Sequence, residues 1–90
     1  MLGDLLASLT DETTAVETIL GAGDLALLTA AREQAAVDGV DLAAYVSQTV
    51  RRYASQASDE EWITLMGALN RSQDPGATCL KRAFEHALRG

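Results

Sequence analysis

The sequence predicts an all-α domain, a compact bundle of five or six short helices. Five times, a capping or acidic residue stands just before an apolar pattern of helical period: Thr10-Asp11-Glu12, Asp24, Asp41, Ser58-Asp59-Glu60-Glu61 and Asp74-Pro75. Alanine and leucine fill most apolar positions, while the aromatic residues are confined to Tyr45, Tyr53, Trp62 and Phe84, a composition that favours helix over strand. Glycines stand where the patterns stop, at Gly21, Gly23 and Gly39, because glycine tolerates the left-handed stop of a helix.

Each element follows from this grammar. Residues 2–9 place Leu2, Leu5, Leu6 and Leu9 at helical spacing and predict a short first helix. Thr10 is expected to cap a second helix with Val16, Ile19 and Leu20 as its buried stripe, ended by Gly21 and Gly23. Asp24 caps a third, running to about Asp38, with Leu25, Leu28, Ala31 and Ala35 inward; these small residues imply close approach of a neighbour. After Gly39, Asp41 caps the fourth and most regular helix, in which Leu42, Tyr45, Val46, Thr49, Val50 and Tyr53 form one continuous face.

Ser58 and Glu61 read as a Ser-x-x-Glu capping box for the fifth helix, whose core face is Trp62, Leu65, Met66 and Leu69. Asp74 caps the last helix and Pro75 sits in its first turn, where the missing N–H is harmless; Leu80, Ala83, Phe84, Ala87 and Leu88 face inward. Connections of two to five residues favour antiparallel neighbours in a single domain spanning residues 1–90, packed as an orthogonal or irregular bundle.

Composition narrows the function classes. The net charge of −6 arises largely from acids at predicted helix starts (Asp11, Glu12, Asp24, Asp41, Asp59, Glu60, Glu61, Asp74), where carboxylates accept backbone N–H bonds and oppose the dipole. The low pI is therefore not evidence for a basic partner. The charge is uneven, with seven acids and only Arg32 among residues 1–40 and six charges of each sign among residues 41–90. No apolar run approaches the ~20 residues that span a bilayer, and Met1 to Leu9 carries Asp4 without Lys or Arg, unlike a signal peptide. Cys79 is the single cysteine, so no internal disulfide forms and a reducing cytoplasm is expected.

No reactive constellation emerges. Cys79 and His86 lie seven residues apart on one helix, a rise of roughly 10.5 Å, which excludes a dyad. One Cys and one His are too few for a structural zinc site, and no phosphate loop, EF-hand loop or His-Glu-x-x-His pattern is present. The pair Glu60-Glu61 reads as solvated helix-start acids rather than a catalytic pair. Asp74-Pro75-Gly76-Ala77 has free backbone N–H groups, but Asp74 itself is expected to take them. No serine has the neighbours an acyl carrier protein requires; Ser58 comes nearest and reads Ala-Ser-Asp. Neither catalytic residues nor a cofactor or metal are expected.

Two resemblances add to this reading. The stretch from Ala36-Val37-Asp38-Gly39-Val40-Asp41-Leu42 through Tyr45-Val46 to Val50-Arg51-Arg52-Tyr53 resembles the helix pair of ribbon-helix-helix repressors and antitoxins, within residues 24–53. That resemblance implies DNA binding with Arg51 and Arg52 as phosphate contacts. The family's reading strand is basic or amide-bearing, whereas Thr14 to Gly23 has no such residue, carries Glu17 and does not alternate. The whole chain is also similar to small helical proteins of unknown function from alphaproteobacteria. This rests on Leu9-Thr10-Asp11-Glu12, Ser58-Asp59-Glu60-Glu61-Trp62 and Asp74-Pro75-Gly76-Ala77 with Cys79-Leu80, and it implies a bacterial cytoplasmic setting.

The expectation is therefore a non-enzymatic protein-interaction or regulatory module with an unidentified protein partner. A homodimer through the stripe Leu2, Leu5, Leu6 and Leu9 would supplement a modest core. DNA binding as a ribbon-helix-helix relative is the alternative. Trp62, the largest expected core residue, should cost roughly 3–5 kcal/mol when truncated to alanine.

Overall fold

Six helices follow one another along the described residues, 2–88 without the side chains of Leu2 and Leu88, of the computed structural model. They are α1 (Leu2–Thr10), α2 (Glu12–Gly21), α3 (Leu25–Asp38), α4 (Leu42–Gln56), α5 (Asp59–Arg71) and α6 (Pro75–Leu88). Among the described residues the fold is all-α, with the expected order of elements.

The caps form as local chemistry dictates. Asp24 accepts from the N–H of Leu27 (3.0 Å), Asp41 from that of Ala44 (2.8 Å), and Asp74 from that of Ala77 (3.2 Å). Gly39, at φ 72°, ends α3 in a left-handed turn. Its N–H donates to Ala36, and the N–H of Val40 donates to Ala35, so two of the last carbonyls of α3 are satisfied.

At the second helix the cap is Asp11 rather than Thr10. α1 continues through Thr10, whose hydroxyl turns back to the carbonyl of Ala7 (2.7 Å), and Asp11 is the first extended residue, accepting from the N–H of Thr14 (3.0 Å). At α5 only half of the expected capping box forms. Ser58 accepts from the N–H of Glu61 (3.2 Å), while the Glu61 carboxylate turns away to α4 and α6.

α4 lies at the centre and packs against α1, α2, α3 and α6. Its face of Tyr45, Val46, Thr49, Val50 and Tyr53 is buried, with Leu42 packed at its edge. Leu9, Ala15, Ile19, Ala31, Ala35, Leu65, Cys79, Leu80, Ala83 and Phe84 complete the core. Alanines at the contacts of α2 and α3 let these helices approach α4 closely. The ring of Tyr45 stacks on Phe84 of α6, with centroids 5.9 Å apart. Ser47, buried on α4, donates to the carbonyl of Thr10 (2.6 Å) and so satisfies one of the last acceptors of α1.

Three apolar residues expected inside lie outside. Leu20 is exposed because α2 turns Ala15 and Ile19 inward, leaving Leu20 a hundred degrees off that line. Leu25 is 77% exposed, since the first residue of α3 has no helix over it. Met66 is exposed because α5 faces inward through Leu65, with Trp62 and Leu69 flanking it. Trp62 itself is half-buried against the core. The expected stability order changes accordingly. Leu65→Ala should cost about 2–5 kcal/mol by cavity formation, and Trp62→Ala less, about 1–3 kcal/mol, because Leu65 is fully enclosed whereas part of the Trp62 surface stays in solvent and its site opens to water. Urea denaturation measures both; a larger loss in the Trp62 variant would contradict this packing.

Candidate functional site

The densest meeting of polar side chains joins α4, α5 and α6. Each member comes from an element already fixed by its cap and core face. Glu61, in the first turn of α5, accepts two hydrogen bonds from Nη2 of Arg82 on α6 (2.7 and 2.9 Å) and one from its Nε (3.0 Å). Tyr53 of α4 donates its hydroxyl to the same carboxylate (2.5 Å). The Glu61 side chain is only 14% exposed. Trp62 of α5 and His86 of α6 pack on the Tyr53 ring, each with centroids 5.5 Å away, tilted and edge-on respectively.

Electrostatics make this cluster an anchor. The Arg82 hydrogen bonds hold Glu61 below its ordinary pKa of 4.5, against the opposing effect of burial, with help from the Tyr53 hydroxyl. Burial, then the bond to Glu61, pushes the Tyr53 phenol well above its ordinary 10.0. At neutral pH the carboxylate stays ionised and the phenol stays protonated. A general acid or base works best with a pKa near the working pH, and neither group has one. The carboxylate is engaged by donors of its own chain, and the geometry suits joining three helices.

None of the other candidate residues hydrogen-bonds to this cluster among the described residues. Cys79 is buried in the core, and burial pushes its thiol up to about 11, so it is a protonated, sheltered thiol at neutral pH. Among the described residues no three His, Cys, Asp or Glu side chains gather closely enough to hold a metal ion. An open cleft of about 140 Å³ lies between the α2–α3 turn and α6, lined by Ala22, Asp24, Leu27, Ala77, Thr78 and Lys81. It falls well short of the roughly 300–1,000 Å³ of small-molecule pockets, and Asp24 there is already engaged as a cap.

The leucine stripe of α1 is used mainly at home. Leu9 is fully buried, Leu5 and Leu6 pack against the same core, and the side chain of Leu2 lies outside the described residues. Arg51 and Arg52 are both exposed on α4. Of the other basic residues in the second half, Arg82 is committed to Glu61, and Arg89 lies outside the described residues. The segment Thr14 to Gly21 is helical as part of α2. Among the described residues no helix is long and apolar enough to cross a membrane.

The reading from residues alone missed the anchor because Glu61 satisfies a local pattern, the capping box. Nothing at Arg82, 21 residues on, signals a partner at Glu61. The chain matches no known protein family, no curated protein and no solved structure.

The anchor predicts a pH dependence. The folded pKa of Glu61 lies below its ordinary 4.5, so its contribution to stability is complete above that value and is lost as pH falls through the folded pKa. Asp11, held below its ordinary 3.8 by the N–H of Thr14, acts in the same direction, so the comparison must isolate Glu61. Glu61→Gln should cost about 1–3 kcal/mol at neutral pH, and its stability should fall less steeply than wild type below pH 4.5. Denaturant titrations across the acid range check this; parallel curves would refute it.

Proposed function

We propose that this chain is a non-enzymatic protein-interaction or regulatory module that works through the outer face of α5. One observation carries the reading. Ile63 is 71% exposed and Met66 is 53% exposed, one turn apart on a helix whose opposite side is in the core. A single exposed apolar residue needs no explanation, but a pair on one stripe makes a usable anchor for a partner. The internal polar groups support the same reading. Glu61, Tyr53 and Arg82 satisfy one another, as an internal anchor of three helices does. The single free, buried thiol accords with a reducing cytoplasm.

Affinity capture from native bacterial lysate tests the proposal, with wild-type and Ile63→Asp proteins as bait. The substitution lies on an exposed position, so the variant should fold normally by circular dichroism. The wild type should retain proteins that the variant loses. Equal capture by two equally folded baits would overturn the role of α5.

A second reading is DNA binding as a relative of the ribbon-helix-helix group. It is favoured by Arg51 and Arg52, adjacent and exposed on α4. Their cations would contact phosphates, against the repulsion of a net charge of −6. This reading expects retardation of a duplex in a low-salt gel shift, reduced at least severalfold by Arg51→Ala with Arg52→Ala. Free migration at about 50 mM salt, where electrostatic binding is strong, would dismiss it.

A further inference from the structure

The outer face of α5 has a second property, which deepens the reading just proposed and rests on it: the face complements itself. Ile63 and Gly67, like Met66 and Asn70, are four residues apart, and Ile63–Met66 and Gly67–Asn70 three apart, so all four share one stripe, directed away from Leu65 and Leu69. Asp59 and Glu60 stand exposed at one end of this stripe. Arg71 stands exposed at the other. The Arg71 cation lies on the stripe itself, since its Nη1 is 3.6 Å from where a Cβ on Gly67 would stand. Among the described residues, none of these three charged side chains forms a salt bridge within the chain.

We infer that the partner of this face is a second copy of the chain, paired through α5 antiparallel to itself about a two-fold axis. A single register meets every demand of the stripe. It sets Ile63 of each copy over Gly67 of the other, a half-buried position covered by the end of the Arg71 side chain, which swings outward toward Asp59 of the other copy to admit Ile63. The same register sets Asp59 of each copy opposite Arg71 of the other, with Glu60 close by. Met66 closes the centre beside the axis. A parallel pair would instead bring acids against acids and Arg71 against Arg71, which is repulsive. Isologous pairing uses the same patch twice, so each favourable contact occurs twice.

A thirteen-residue helix is about 20 Å long, so the contact is small and the dimer weak. The stripe is distinct from Leu5, Leu6 and Leu9 of α1, which face the core of their own chain.

Sedimentation equilibrium of the full chain up to about 1 mM, at physiological salt, tests the pairing. The wild type should dimerise. Ile63→Asp should raise the Kd at least about 30-fold, as loss of a central anchor does. Asp59→Arg and Arg71→Asp should each weaken the dimer roughly tenfold, and the double swap, which restores opposite charges, should recover most of the loss. Circular dichroism of each variant confirms that α5 is still formed. A wild type that stays monomeric overturns the inference. So does a dimer indifferent to Ile63→Asp, or two charge variants whose losses simply add. A monomer that still captures other proteins in an Ile63-dependent way would remove self-pairing while leaving the interaction module standing. A monomer without such capture would remove both.

Discussion

The burial of α4 on several sides is the constraint on which the rest of this molecule depends. The fifteen-residue α4 packs against α1, α2, α3 and α6, and a radius of gyration of 12.0 Å leaves room for little else at the centre. A small chain has a modest core, so the central helix must be approached closely. That requirement explains the alanines of α2 and α3 at the contacts and the preference for Ala15 over Leu20 on the inward line of α2. It also explains the buried hydroxyls. Thr49 returns its hydrogen bond to the carbonyl of Tyr45 within α4 (2.9 Å), and Ser47 reaches the end of α1. Among the described residues, no buried side-chain donor or acceptor is left without a partner.

Charge serves this packing at two ranges. At short range, Asp11, Asp24, Asp41 and Asp74 occupy backbone N–H groups at helix starts and define where a helix begins. At long range, Glu61 and Arg82 hold the peripheral α5 against α6, and the Tyr53 hydroxyl ties both to α4. The second arrangement is the more selective. A bidentate pair with an added phenol fixes rotation of α5 about its axis, and that rotation decides which face of the helix meets solvent.

The functional reading follows from this division. Inside, carboxylate, guanidinium and phenol are matched to one another, and the thiol is sealed among apolar neighbours. Outside, the same rotation of α5 that buries Leu65 displays Ile63 and Met66. The proposed interaction face is thus a surface one, in apolar side chains with acids at one end of the helix and Arg71 at the other.

The sequence by itself determined the all-α class, the order of five or six helices, the inward face of α4, the stop at Gly39 and the caps at Asp24, Asp41, Ser58 and Asp74. All of these arise within a few residues of one another, from periodicity and from side chains that reach their own backbone. Only the tertiary structure decided what depends on neighbours distant along the chain. It turned Leu20, Leu25 and Met66 outward and left Trp62 half-covered. It closed Leu9 into the core and drew Glu61 from its capping partner to Arg82. An apolar residue adjacent to a stripe can be assigned to either side of it by spacing alone. The choice is made by which helix arrives to cover it, and that is a property of the packed chain.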